Sequence, residues 1–257
     1  MKILEEEPPL SSECKLPWII DAFLYPINAS GMIHIAIFVL LPRLVGLAVS
    51  LLTMMLSPVL GRQGTGYIIT FLTIPFYIVF YGYMFYYIPY CVFDSTKGNR
   101  RAPDIPIQGT FNVMDFISQM ILLLGCVAIC MWPAGVYYGV YYGLSRYDLT
   151  RQVDWFLWLL VVTGVFFLPM SLLRGIMFDS FDALSPIELV LGIVHTFAAY
   201  LGLVLFFLLL STLLKAVKWL VPLSFLADAM RFYLIFVLAH RLGWFYWWHK
   251  DKLDWGL

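Results

Sequence analysis

The sequence predicts an all-α fold, a polytopic transmembrane bundle of about six spans. Of its 257 residues, 62% are apolar or aromatic and 12% are charged, against about 25% charged in a typical soluble domain. So large an apolar excess cannot be hidden inside one water-facing globule, so lipid is the expected solvent. Six apolar stretches are long enough to cross about 30 Å of hydrocarbon at about 1.5 Å per residue. They run continuously and lack the every-second-residue alternation of a membrane barrel.

In chain order, the opening MKILEEEPPLSSECK is acidic and proline-containing, without the basic-then-apolar pattern of a removable signal. Next comes KLPWIIDAFLYPINASG, with Trp18 and Tyr25. It reads either as a helix lying in the headgroup layer or as a plain leader into the first span. The spans are expected at about 32–60, interrupted at LPRL, then 67–93, 113–143 with a break at Pro133, 155–173, 187–214 and 219–248. GRQGTG near Gly61 reads as a turn, and the loop DSTKGNRRAPDIP is discouraged from regular structure by Gly98, Pro103 and Pro106. The expected organisation is a cytoplasmic or interfacial segment over 1–31, a six-span domain over 32–248, and an interfacial tail over 249–257.

Orientation follows the basic residues. With both termini inside, Lys2, Lys15, Lys97, Arg100, Arg101, Arg174, Arg241, Lys250 and Lys252 are cytoplasmic. Arg62, Arg146, Arg151, Lys215 and Lys218 lie opposite, so the bias favours N-in, C-in at a cell membrane. Formal charge balances at 16 against 16, which argues against nucleic acid as a partner. The partners expected are membrane lipid and other membrane subunits.

GVYYGVYYG stacks Gly135, Gly139 and Gly143 on one helix face. Small residues at this spacing let a neighbouring backbone approach closely, which matters in lipid because apolar burial gives helices no reason to associate. The tyrosines around the ladder and in the second span read as ring packing near the bilayer edge. A tyrosine-lined ligand pocket is the other reading.

Arg43, Asp228 and Arg231 are the charges within apolar runs. Asp228 and Arg231, three apart, share one helix face and can pair. Each charge costs about 2.5–3.5 kcal/mol at mid-span, while the twelve Leu, Ile, Val and Phe residues of 217–238 return roughly 4–7 kcal/mol. This span therefore needs help from neighbours, or a pair facing protein. Arg43 is expected to snorkel or face a polar cavity. His195 and His34 read as buried, hydrogen-bonded residues. The cysteines (Cys14, Cys91, Cys126, Cys130) contain no C-x-x-C pair and read as small hydrophobes, so no metal, disulfide or cofactor is expected. Asp179 and Asp182 read as a solvated loop.

The ending AHRLGWFYWWHKDKLDW concentrates Trp244, Trp247, Trp248 and Trp255 among basic residues. With Trp18, they are expected to anchor the chain at the interface, the tail lying along the membrane. This ending resembles the G-x-[FY]-[FY]…K-L-x-W tail of an uncharacterised bacterial family of multi-pass membrane proteins. FFLPMSLLRGIMFDSFDALSP is similar to that family's Phe-x-Pro-Met segment. DSTKGNRRAPDIP resembles its glycine-containing loop, although the family loop is more acidic where Arg100 and Arg101 stand. The resemblance covers about residue 94 to the end and implies a bacterial inner membrane, with no chemistry.

No G-x-S-x-G, H-E-x-x-H, Walker A or G-x-G-x-x-G pattern occurs in the sequence. The expected function is a non-catalytic scaffold, assembly factor or accessory subunit. The alternative is a small permease or channel using Arg43, Asp228 and Arg231. The third is an enzyme acting on lipid or quinone through His195 or the aspartates.

Overall fold

The computed structural model describes residues 17–104, 113–144, 155–181, 185–220, 223–253 and 255. All regular structure among them is helical: α1 (Trp18–Leu24), α2 (Ala29–Gly61), α3 (Gln63–Thr96), α4 (Val113–Leu144), α5 (Trp155–Phe178), α6 (Pro186–His195), α7 (Phe197–Leu220) and α8 (Ser224–Leu253). The chain is an all-α membrane-type bundle.

Asn28 starts α2 by a side-chain cap, its Oδ1 accepting the Gly31 N–H at 2.8 Å. Only glycine fits at position 31, because a Cβ there would lie 2.5 Å from the Pro26 carbonyl oxygen. Between α2 and α3 the expected turn over GRQGTG shrinks to Gly61, with φ 68° and ψ 168°. This backbone region is open to glycine and hostile to other residues, so one residue reverses the chain. The two helices then run antiparallel: Phe38 meets Phe80 and His34 meets Tyr87.

The expected interruptions at LPRL and Pro133 do not occur. α2 continues through Pro42 and α4 through Pro133, as α3 does through Pro75 and Pro89 and α5 through Pro169. A proline removes one helical hydrogen bond, but breaking the helix in lipid would strand several backbone groups, so continuation is the cheaper outcome. The expected fifth span does divide, at Thr196. Its Oγ1 donates to the Gly192 carbonyl at 2.7 Å and its backbone leaves the helix at φ −120°, ψ 20°. Ten residues make α6 about 15 Å long, too short to cross.

Five helices are long and apolar enough to span: Ala29–Gly61, Gln63–Thr96, Phe116–Val140, Trp155–Phe178 and Phe197–Val217. α8, the expected sixth, is not among them, since Asp228, Arg231, His240 and Arg241 lower its hydropathy. It is wrapped by protein instead. α8 packs along α3, α2 and α7, burying Phe236, Val237, His240, Leu242 and Gly243. Gly243 marks its closest approach to α3, where a Cβ would fall 2.5 Å from Ser95 Cβ and against the Val92 carbonyl.

Candidate functional site

The first two turns of α8 place Ser224, Asp228 and Arg231 at i, i+4 and i+7, on one face. Arg43 of α2 crosses to them. Its Nη2 donates to Asp228 Oδ2 at 2.6 Å, and both terminal nitrogens donate to Ser224 Oγ at 3.2 Å. Arg231 Nη1 donates to the other carboxylate oxygen at 3.3 Å. Phe225 lies under the Arg43 guanidinium at 5.6 Å. The cluster is half-exposed, with side-chain exposures of 38%, 37% and 38% for Arg43, Asp228 and Arg231. The expected Asp228–Arg231 pair is therefore present, and Arg43 joins it rather than standing alone.

A second polar assembly lies around the middle of α8 and is largely buried, with Tyr83 half-buried at its edge. His34 Nδ1 sits 2.7 Å from the Ser30 carbonyl and Nε2 2.8 Å from the Tyr83 hydroxyl. A carbonyl only accepts, so in the neutral ring Nδ1 carries the proton and Nε2 accepts from Tyr83. Tyr87 stacks on His34 at 3.7 Å. On α8, His240 Nδ1 meets Ser95 Oγ at 2.9 Å and stacks on Tyr25 at 4.0 Å. Burial pushes the Tyr25 phenol well up, which keeps it a neutral donor to the Cys91 carbonyl.

These groups hold the loop after α3 in place. Asn28 Nδ2 donates to the Ala102 carbonyl at 2.7 Å, Ser30 Oγ to Pro103 at 2.6 Å, and Tyr87 to Pro103 at 3.1 Å. Trp244 Nε1 donates to the Asn99 carbonyl at 3.2 Å, and Gly98 (φ 86°) turns the chain beneath the Trp247 ring. Asp94–Thr96 belong to α3, and the described remainder of the loop, 97–104, is irregular, as Gly98 and Pro103 imply, yet firmly tied. His240, Ser95 and Asn28 carry much of this and sequence reasoning passed over them. Their one visible signal is that each is a polar residue beside or within an apolar run.

Other sequence-predicted residues land as follows. Gly135 and Gly139 are exposed, and a Cβ at either position would meet nothing within 4 Å. The close helix pair does form between α4 and α5, but through glycines of α5. A Cβ at Gly164 would lie 2.6 Å from the Cys130 carbonyl oxygen, and one at Gly175 2.8 Å from Cys126 Sγ. The ladder thus faces away from its own bundle. Gly143 lies in α4, and its surroundings are outside the described residues.

His195 is exposed, not buried, and is the last residue of α6 before the break at Thr196. Trp244 is 7% exposed and Trp255 stacks on Tyr246, so the tail folds onto the bundle; Trp247 is half-buried and Trp248 is 69% exposed. The Trp18 side chain, Cys14 and Asp182 lie outside the described residues. Asp179 accepts from Gln119 Nε2 at 2.7 Å. Arg174, expected in a loop, is instead buried in the last turns of α5. It pairs with Glu188 and lies over the Phe178 and Trp255 rings at 5.2 and 5.5 Å. Cys91 and Cys126 are buried free thiols and Cys130 is half-buried, its Sγ 3.2 Å from Ser171 Oγ.

No protein-family model matches the chain, and no curated protein or solved structure is found to be similar to it.

Proposed function

We propose that this protein is a non-catalytic component of a membrane assembly, a scaffold, assembly factor or accessory subunit, that presents α4 to a helix of another subunit. The observation that carries this reading is the contrast among glycines. Those facing the bundle interior (Gly164, Gly175, Gly243) are filled by close neighbours, whereas Gly135 and Gly139 form an open four-residue ladder beside exposed Trp132, Val136 and Val140. Gly46, Gly66 and Gly202 are also open, but none has a glycine four residues on. A helix docked on such a ladder gains close dispersion contact that lipid chains do not match.

Both polar assemblies fit the same reading. Arg43 and Asp228 tie α2 to α8, and the histidine–tyrosine core fixes a loop, so each serves as a brace. The half-exposed charge cluster is the one feature favouring the permease alternative. Flux through proteoliposomes that falls with Asp228→Asn, at unchanged folding, would favour it over the scaffold. We place the protein in the bacterial inner membrane with both termini inside. The resemblance of its latter part supports the location. The gathering of Arg100 on Trp244, Arg174 on Trp255 and Lys250 on Trp247 supports the orientation. Purification in mild detergent tests the function: a partner or second copy should accompany the wild type and be lost with Gly139→Leu. A lone species in both cases would reject it.

A further inference from the structure

The cluster at the start of α8 holds more positive charge than its pairing uses. Two guanidinium groups share the single carboxylate of Asp228, so the ionised cluster carries one net positive charge. Arg43 is committed to Ser224, Asp228 and the Phe225 ring. Arg231 gives one bond, at 3.3 Å, to Asp228. A guanidinium has five N–H donors, so most of those on Arg231 have no acceptor among the described residues.

Location narrows what would accept from them. Ser224 is the first residue of α8, directly after the connection from the span Phe197–Val217, and exposed Lys215 lies near that span's end. The cluster therefore lies level with the end of that span and midway along the span Ala29–Gly61, which Arg43 divides. Around it Leu44, Leu47, Leu223, Leu226 and Met230 are exposed apolar side chains. An unbalanced cation beside acyl chains calls for an anion with several oxygen acceptors, and phosphate is the group that matches guanidinium donors.

We propose that Ser224, Asp228 and Arg231 of α8, with Arg43 of α2, form a site for a phosphate group, presented by a phospholipid headgroup or as free phosphate. Arg231 supplies the unspent donors, and Asp228 fixes both guanidinium planes so that they converge on it. The apolar side chains around the cluster suit the acyl chains of a lipid ligand.

The full chain, purified and delipidated in a neutral maltoside detergent, is titrated with phosphatidylglycerol, diacylglycerol or inorganic phosphate while thermal unfolding is followed. Phosphatidylglycerol is expected to raise the unfolding temperature and diacylglycerol to leave it unchanged. Arg231→Gln should weaken apparent phosphatidylglycerol affinity about tenfold, the loss of charge-assisted bonds worth roughly 1.5 kcal/mol. Because Arg231→Gln leaves the Arg43–Asp228 tie intact, folding is expected to survive. Ser224→Ala gives a second, milder variant with the same direction of effect. Stabilisation by inorganic phosphate alone assigns the site to the free anion, and stabilisation by phosphatidylglycerol alone assigns it to lipid. Diacylglycerol acting as strongly as phosphatidylglycerol, or Arg231→Gln binding phosphatidylglycerol as tightly as the wild type, overturns the proposal.

Discussion

At Gly243, α8 comes so close to α3 that a single methyl group would collide with Ser95 and the Val92 carbonyl. Gly243→Ala should therefore destabilise the protein by about 1–3 kcal/mol, read as a lower thermal midpoint in detergent, since overpacking a tight seam forces backbone movement. Asn28 is a second sensitive residue, capping α2 while its amide nitrogen holds the Ala102 carbonyl. Asn28→Ala loses both, at about 1–2 kcal/mol, and should also increase proteolysis in the loop that contains Gly98. An unchanged midpoint and an equally resistant loop would show that the cap is not needed. Residue-level chemistry was partly legible in the sequence. Asp228 and Arg231 could be paired from their spacing alone, and His34 could be read as a hydrogen-bonded core histidine. Arg43 could not be assigned to Asp228, because that contact joins residues far apart in the chain. The burial expected of His195 does not hold either: it is the exposed last residue of α6, and nothing local in the sequence marks the break at Thr196.

Among elements, α4 is the one whose outer face decides the proposed function. Gly139→Leu places a side chain where nothing stands within 4 Å. The isolated chain should lose less than about 0.5 kcal/mol, as at an exposed site, while association with the partner is lost. Size-exclusion chromatography and thermal unfolding, run on one sample, separate these effects; a variant that unfolds would place the ladder inside the bundle after all. Helix existence was readable from apolar run length, and the break near Gly61 from its glycines. The effect of the prolines was not, because prolines that stop a helix in water are carried through in lipid. The glycine spacing raised the expectation of a seam, but α4 meets α5 through Gly164 and Gly175 while Gly135 and Gly139 stand open.

For the whole molecule, lipid is the solvent of the outer surface, and Arg43 with Asp228, Ser95 with His240 and His34 with Tyr83 tie polar side chains across helices. Basic residues collect where the loop after α3 meets the end of α8, with Lys97 over Phe93, Arg100 over Trp244 and Lys250 over Trp247. A reporter fused at Gly98 should therefore be active on the cytoplasmic side; activity on the far side would invert the orientation. The membrane character was the most legible property, because it depends on composition rather than on any contact. α8 was the least, since its charges make it a weak span by hydropathy while the bundle encloses its middle. Alkaline carbonate extraction of isolated membranes tests the account most directly. The protein should stay in the pellet and be released by detergent alone, and its recovery in the aqueous supernatant without surfactant would contradict it.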